Sequence, residues 1–555
     1  MMKIKEMLRS DYTLSGNVER DVTGVAYDSR KVKSGDLFVA VRGGNADGSS
    51  FIGPALQNGA AGIVYEKGRL STEQRAAFAT AYPGTIWIGV EDARDALAYL
   101  SGAVCGNPSH KMAVIGITGT NGKTTTSYLL KAVLEKWGKK VGLVGTIGYL
   151  IGDKAFDAPH TTPEAPDFQS LLKEMDDSGC SHVVAEVSSH ALAQKRVAYT
   201  NFRVAVFTNL TRDHLDFHRT MEEYYKVKET LFAGLLARDG VAVINVDDPY
   251  GRRLADTLRQ KNGPIIMTCS VEGGEADLVV RNMKTSFSGT RFTVEMRREG
   301  ETVTEEFSTP LVGKTNVYNV LSAVCAALSL HIPITIIKEG VSMTGLVKGR
   351  FEKVDLGQDF LAVVDYAHTE DALERLLLTA RQLLEAYRFA VKTEKMMKAK
   401  RRHFSLPGAE AESGKIITVI GCGGNRDKGK RSKMGEIASK LSDFVIITSD
   451  NPRNEDPRTI IRDMEKGIKG DNYIVISDRN VAIGMAVELA SSGDIVLVAG
   501  KGHEDYQEIQ GIRHSFSDRA ALECAIKKTT SRPAFGGDTT YRGSHSAGSG
   551  RVIQG

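Results

Sequence analysis

The chain has 555 residues, 41% of them hydrophobic and 25% charged, the make-up of a folded globular protein rather than a disordered or fibrous one. At roughly 150 residues per domain, that length predicts three or four domains, each able to bury its own core. Lys and Arg total 72 against 68 Asp and Glu, so the net charge of +4 excludes a general affinity for nucleic acid without a local basic patch.

The six cysteines (Cys105, Cys180, Cys269, Cys325, Cys422, Cys524) include no CxxC pair, so neither a disulfide framework nor a Cys-based zinc site is expected. No run approaches the ~18 apolar residues that span a bilayer. The start, MMKIKEMLRSDY, carries charges where a secretory leader has its apolar stretch. A cytoplasmic location is the expectation, with neither nucleic acid nor membrane insertion.

Residues 1–108 read as a first domain. Strand-like runs at 22–27, 37–41, 62–65 and 86–89 mix with helical stretches such as 93–104. Asn107-Pro108 closes it, because the residue before a proline is pushed out of the helical region. A second domain, 109–346, has apolar runs at 112–117, 183–187, 204–207 and 241–246 that read as buried parallel strands. They end in GTNGKT, SSH, TNLTRDH and DDP. A third, 347–530, has strands predicted at 360–364, 416–420, 444–448, 473–476 and 494–498, ending in DYAH, GCGGNRD, SDNPR, SDR and GKGHE.

The class is α/β, and ligands of open parallel sheets lie in the crevice at the carboxyl ends of the strands, which is where these polar tails fall. Within the third domain, 389–413 (FAVKTEKMMKAKRRHFSLPGAEAES) reads as an insertion forming a solvated helix and surface loop, the alternative being an RNA or membrane contact. The Gly- and Ser-rich tail, 531–555, reads as disordered. There is no internal repeat.

The run ITGTNGKTT (117–125) follows a strand and precedes a helical stretch, the context of a phosphate-binding loop. Glycines let backbone N–H groups approach phosphate oxygens, and the helix N-terminus adds positive partial charge. Lys123 would reach the β- and γ-phosphates, and the Thr124 hydroxyl would bind Mg²⁺. Ile117 stands where the first glycine of the usual loop should be, which points to a subclass.

In AEVSSHAL (185–192), Glu186 is costly to bury as an ion unless it meets a cation or donors. It reads as a Mg²⁺ ligand or a salt-bridged strand end. In TNLTRDHLDFH (208–218), His214 could join it on the metal and Asn209 could face nucleotide; the alternative for His214 is a structural hydrogen bond. GCGGNRDKGKR (421–431) lacks the third small residue of a dinucleotide fingerprint, since Arg426 occupies it, and suits a carboxylate better. Arg426, Asp450, Asn451, Arg453 and Glu504 together could grip a zwitterion, with arginine forking carboxylate and acidic groups accepting from ammonium.

Taken together, DSR (28–30), TTPE (161–164), EVSSHAL, TRDHLDFH, DYAH, GCGGNRDKGKR, DNPR and GKGHEDY resemble the Mur ligase family, from about Thr23 to about Lys527. The resemblance implies that family's three-domain architecture, with a central P-loop-type parallel sheet and a Rossmann-like C-terminal domain. It implies a monomeric enzyme of peptidoglycan precursor synthesis, an ATP-dependent ligase adding meso-diaminopimelate to UDP-N-acetylmuramoyl-L-alanyl-D-glutamate. An L-lysine-adding or other Mur-type ligase is the alternative. A silent nucleotide-binding paralogue would be favoured had Lys123, Glu186, His214 or Lys228 been missing, and all four are present.

Residue by residue, the resemblance gives ATP to Gly119, Thr120, Asn121, Gly122, Lys123, Thr124 and Thr125, with Asn319, Arg350 and Asp365 as a nucleotide clamp. It gives the UDP-muramoyl-dipeptide to Tyr27, Ser29, Gly44, Asn45, Ala46, His160, Thr161, Thr162, Ser188, Gln194 and Arg196. Diaminopimelate falls to Arg426, Asp450, Asn451, Pro452, Arg453, Gly500 and Glu504. Two Mg²⁺ ions fall to Thr124, Glu186, His214 and Lys228, the last as a carbamate. Tyr27, Arg219, Glu370 and Ser432 depart from the family pattern.

Overall fold

The computed structural model describes residues 2–43, 46–261, 263–286, 288–298, 301–345, 347–401 and 414–530. They gather into two compact units, one from Met1–Leu210, Glu222–Val279 and Asn319–Val341, the other from Thr211–Met221, Val280–Tyr318 and the described part of Ser342–Gly555.

The first unit opens with a five-stranded sheet built from β1 (Thr13–Ser15), β2 (Val25–Ala26), β3 (Leu37–Val39), β4 (Gly62–Glu66) and β5 (Ile86–Val90), in the order β1-β5-β4-β3-β2. Only β1 runs antiparallel. Side chains alternate between faces along a strand, and here both faces are covered. Leu37, Val39, Ile86 and Ile88 join the core under α1 (Ala93–Val104), while Phe38, Ile63 and Trp87 pack with Ile52 and Leu56 on the other side. The Asp92 carboxylate caps α1 by accepting from the N–H groups of Arg94 and Asp95.

The rest of this unit is a mostly parallel sheet. Its strands are β6 (Ala113–Thr118), β7 (Val141–Val144), β8 (Tyr149–Ile151), β9 (Lys154–Phe156), β10 (His182–Glu186), β11 (Phe202–Phe207), β12 (Leu236–Asn245) and β13 (Ile265–Ser270). They are ordered β9-β8-β7-β10-β6-β11-β12-β13, with β8 and β9 antiparallel at the edge. The chain enters at β6 in the middle and lays later strands on both sides of it. That makes the carboxyl end of β6, between β10 and β11, the crevice of the sheet.

In the second unit, β14 (Gly289–Arg298) and β15 (Glu301–Thr309) form an antiparallel hairpin, with Phe292 stacked on Phe307. A six-stranded sheet follows, made of β16 (Glu352–Val354), β17 (Leu361–Asp365), β18 (Ile416–Ile420), β19 (Phe444–Ile447), β20 (Tyr473–Val475) and β21 (Ile495–Ala499). The order is β16-β17-β21-β18-β19-β20, parallel except for β16. The chain winds outward from β18 to β20 and then returns to place β21 on the other side of β18, so the crevice lies between β18 and β21.

The helix α2 (Glu370–Arg401) covers one face of that sheet. Its buried residues Leu373, Leu376, Leu377, Ala380, Leu383 and Leu384 repeat at three- and four-residue steps. It runs into the 389–413 segment as far as Arg401; residues 402–413 and the tail 531–555 lie outside the described residues. Leu522 and Ile526, on α3 (Asp518–Thr530), cover the opposite face. Among the described residues no helix is long and apolar enough to cross a membrane.

Candidate active site

At the carboxyl end of β6 the chain turns through Gly119–Gly122 into the helix Lys123–Lys136, which has no side-chain cap at its start. A bare helix N-terminus preceded by glycines is a ready anion site. Two of those glycines are sterically obligatory. Gly119 (φ +146) and Gly122 (φ +88) lie where side chains are strained, and a Cβ would overlap Thr208 Oγ1 at the first and Asn319 Oδ1 at the second.

The tail of β11 braces the loop. Asn209 accepts from the N–H of Thr120 through its backbone carbonyl (2.9 Å) and from the N–H of Asn121 through Oδ1 (2.9 Å), and Thr208 Oγ1 donates to the Asn121 carbonyl (2.7 Å). Lys123 donates to the carbonyls of Gly119 (2.9 Å) and Thr120 (2.8 Å), so its ammonium lies folded over the loop. Lys228, from the helix Met221–Gly234, is 1% exposed and donates to the same Gly119 carbonyl (3.0 Å) and to Thr118 Oγ1 (3.3 Å).

Glu186 ends β10 fully buried. Its Oε2 accepts from Thr124 Oγ1 and Thr146 Oγ1, each at 3.0 Å, and its Oε1 from the Thr146 N–H at 3.0 Å. Gly145 permits this approach, since a Cβ there would overlap Glu186 Oε1. The oxygens of Thr124, Thr146 and Glu186 form a hard donor set. That suits Mg²⁺, which binds one or two carboxylates and completes its shell with water and phosphate. No cluster of three or more His, Cys, Asp or Glu able to hold a metal occurs among the described residues.

The residues assigned to the muramoyl peptide gather on the far side of Glu186. Thr162 Oγ1 donates to the Glu186 carbonyl (2.8 Å) and accepts from the Ser188 N–H (3.1 Å). Thr161 Oγ1 lies 3.1 Å from Thr146 Oγ1, and the His160 carbonyl accepts from Tyr149 (2.6 Å). Arg196 reaches the Thr162 carbonyl (2.9 Å), Gln194 Oε1 (2.7 Å) and Glu164 (2.9 Å).

Nearer the start of the chain, Ser29 is buried in a short turn capped by Asp28, and Tyr27 donates to Asp167 (3.0 Å). A cavity of about 450 Å³ opens against Tyr27 and Asp28, lined also by Lys31, Ser170 and Lys173. The Ala46 carbonyl accepts from Gly43 (2.9 Å), whereas Gly44 and Asn45 lie outside the described residues.

In the second unit His214 adopts φ +54 and sits 3.4 Å from Asp213. Burial pushes the Asp213 carboxyl up, but His214, His368 and Lys430 outweigh it and hold the group below the usual carboxylate range. Arg219, where the resemblance expects glycine, does adopt a positive φ of 57°. Asp365 accepts from the N–H groups of Phe351 (2.6 Å) and Ala367 (2.8 Å); burial raises its pKa against the opposing Arg350. Arg350 lies over the Tyr366 ring, 4.7 Å from its centre. Of the expected nucleotide clamp, Arg350 and Asp365 thus share this unit, and Asn319 packs on the phosphate loop of the other.

The residues expected to hold diaminopimelate line the crevice beside β18. Asn451 is 2% exposed and bonded on every side: its carbonyl accepts from Gly424 (2.8 Å), its Oδ1 from Lys501 Nζ (2.9 Å) and the Glu508 N–H (2.9 Å), and its Nδ2 donates to Glu504 (2.8 Å). It is therefore a bracket that builds the pocket. Arg453 stands at φ +52 and donates from Nη1 to the Gly424 carbonyl (2.8 Å). Arg426 is exposed and forms no ion pair among the described residues. At Gly500 (φ +119) a side chain would press on Asp450.

Several contributors carry no assignment from the sequence. Lys501 is fully buried and also binds Glu504 (3.0 Å). Its signal was a lysine directly after an apolar strand, inside GKGHEDY. Thr208 opens the TNLTRDHLDFH run but carries no role of its own there, whereas Gly145 and Thr146 sit in a stretch without a comparable signal.

A phosphate-binding loop at the crevice of one parallel sheet, and a charged pocket at that of another, define a nucleotide-dependent α/β enzyme that handles an amino acid. Family models agree: residues 21–104 match the Mur ligase family catalytic domain, 117–327 the Mur ligase middle domain and 405–502 the Mur ligase glutamate ligase domain. The UDP-N-acetylmuramoyl-L-alanyl-D-glutamate--2,6-diaminopimelate ligase of Caldanaerobacter subterraneus subsp. tengcongensis is 41% identical, over 94% of this chain and 98% of its own. The ligase of the same description from Geobacter metallireducens is 39% identical, over 96% and 99%. A solved structure of such a ligase superposes with a TM-score of 0.63 at 31% identity, covering 96% of this chain and all of that one. The chain belongs to the Mur ligase family.

Proposed function

We infer that the chain is an ATP-dependent ligase joining meso-diaminopimelate to UDP-N-acetylmuramoyl-L-alanyl-D-glutamate. The observation that carries this reading is the near full-length identity of 41% to a diaminopimelate ligase, with the charged pocket around Arg453 present at the expected strand ends. The side-chain carboxylate of the D-glutamyl residue attacks the γ-phosphate of ATP, releasing ADP and forming an acyl phosphate. The amine of diaminopimelate then adds to the carbonyl, and phosphate leaves as the amide forms.

In this scheme the chain's work is positioning and charge neutralisation. The Gly119–Gly122 loop and the helix behind it hold the triphosphate, and Lys123 swings from the loop carbonyls onto phosphate. Thr124 and Glu186 would hold Mg²⁺, which would neutralise phosphate charge when bound, and a carbamate on Lys228 would offer a further anionic ligand; His214 stands as a candidate metal ligand of the second unit. Thr161, Thr162, Ser188, Gln194 and Arg196 orient the muramoyl peptide, and Tyr27, Ser29 and the 44–46 loop hold its uridine diphosphate end. Arg426 and Arg453 take the acceptor's carboxylate. The same reading places the enzyme in the cytoplasm, as a monomer acting on small molecules.

The test is ATP-dependent phosphate release with the UDP-muramoyl-dipeptide, offering meso-diaminopimelate and L-lysine in parallel and weighing the products. Product with diaminopimelate alone is the expected result. Turnover with lysine would keep the ligase chemistry and overturn the acceptor assignment.

A further inference from the structure

The pocket contains a carboxylate that the reading above does not use. The hairpin of Tyr506–Ile509 and Ile512–Ser515 lies beside the Asp450–Arg453 loop and is stitched to it by backbone. Arg453 N–H donates to the Glu508 carbonyl (3.0 Å), the Gln510 N–H donates to the Arg453 carbonyl (2.7 Å), and Arg453 bridges to Ile509. This places the Glu508 carboxylate 3.4 Å from Arg453 Nε, with a quarter of its side chain exposed.

The two glutamates of the pocket differ in how far they are committed. One oxygen of Glu504 already takes the buried Lys501 ammonium (3.0 Å) and the Asn451 amide (2.8 Å). The Glu508 carboxylate has Arg453 Nε as its one partner among the described residues, at a distance too long for a strong charge-assisted bond. Glu504, Arg513, Arg453 and Glu508 all bear on the Tyr506 hydroxyl, Arg513 being the residue opposite Glu508 in the hairpin with its guanidinium over the Tyr506 ring (4.3 Å), so four charges share one locus. On the Arg453 side, Nη1 serves the Gly424 carbonyl and Nε faces Glu508, which leaves Nη2 as the guanidinium nitrogen not engaged among the described residues and open to a ligand.

We propose that Glu508 is a specificity-determining residue of the acceptor site, forming with Arg453 a charge pair matched to an amino-acid end that carries both carboxylate and ammonium. The inference rests on the diaminopimelate reading and deepens it. The far end of that acceptor is itself a zwitterion: its carboxylate falls to the arginine fork and its ammonium to Glu508. An acceptor ending in carboxylate alone gains from Arg453 and loses from the neighbouring anion. One ending in ammonium alone meets the guanidinium unshielded.

Steady-state kinetics of the full chain and of Glu508→Gln, with Glu508→Asp as the charge-preserving control, test the proposal. The acceptors are meso-diaminopimelate and 2-aminopimelate, in which hydrogen replaces the far ammonium; the latter serves as a competitive inhibitor if it is not turned over. The expected result is a KM for meso-diaminopimelate raised about tenfold in Glu508→Gln, as for loss of one charged hydrogen bond. The KM or Ki of 2-aminopimelate and the KM of ATP should stay level, and Glu508→Asp should recover most of the loss. An equal change for both acceptors would reduce Glu508 to a support for Arg453 and overturn the proposal, as would no change for either. A wild-type enzyme inactive with meso-diaminopimelate but active with another acceptor would instead overturn the functional reading beneath it.

Discussion

Lys123 and Lys228 donate to one and the same oxygen, the carbonyl of Gly119, at 2.9 and 3.0 Å. Two ammonium groups on one acceptor repel each other, the more so because Lys228 is buried. Converting Lys228 to a carbamate exchanges that repulsion for an anion beside a cation. Wild-type enzyme equilibrated with ¹³C-bicarbonate should therefore show a carbamate carbonyl resonance that Lys228→Ala lacks. The variant should lose turnover by about 100-fold or more, the scale for removing one electrostatic element of a transition state. Full activity in Lys228→Ala would remove this lysine from the chemistry.

The phosphate loop tolerates no side chain at Gly122. Alanine there would sit at φ +88 and overlap Asn319 Oδ1, so Gly122→Ala should abolish ATP binding in a calorimetric titration. Its fold should survive, because the strain is confined to one turn at the end of β6. Wild-type affinity in the variant would show that the loop does not hold nucleotide in this form.

Arg453→Ala should raise the KM for meso-diaminopimelate by roughly 10- to 100-fold, matching the ~1.5–3 kcal/mol of a hydrogen bond to a charged group. The KM for ATP should not move. Arg426→Ala gives the complementary measurement, since that guanidinium is exposed and has no ion pair among the described residues to surrender. A KM unchanged in both variants would place the acceptor's carboxylate elsewhere.

Two partly buried imidazoles make the second unit acid-sensitive. Burial, then Lys430, lowers His368 to about 4, and burial, then Arg350, does the same to His503. Unfolded, each would take up its proton near pH 6.5. Between those values the unfolded chain binds more protons, so stability is fully present above pH 6.5 and drains away as pH falls toward 4. For His368 the loss is on the order of 3 kcal/mol. The melting temperature should fall across that window, and less steeply in His368→Gln. A curve that is flat to pH 4.5 would contradict the burial of these rings.

Strands and their polar tails were legible because a fully buried parallel strand is a short apolar run, and a catalytic loop must follow it directly. Ile416–Ile420 came out residue for residue, and Ala113–Thr118 to within one. The hairpin Gly289–Arg298 with Glu301–Thr309 did not, although Phe292, Val294 and Met296 alternate as a strand should. Interspersed charges mask a period-two signal that one solvated face produces.

Within the site, glycine-rich and charged motifs stood out, but their supports did not. Thr146 and Gly145 matter only because the fold brings them to Glu186, 40 residues on from Thr146. For Asn451 the sequence shows a polar group in the expected pocket but not that Lys501, Glu504 and the Glu508 N–H hold it in place there.

The backbone stitching of Arg453 to Glu508 and Gln510 also bears on how acceptor preference could be transplanted. A graft of the Asp450–Arg453 tetrapeptide into a relative of different preference would arrive without the strand edge that holds the arginine at φ +52. The two segments lie more than fifty positions apart in the chain yet form one exchangeable cassette. A chimera carrying both should inherit the specificity, whereas either half alone should yield a folded enzyme with a blunted choice of amino acid.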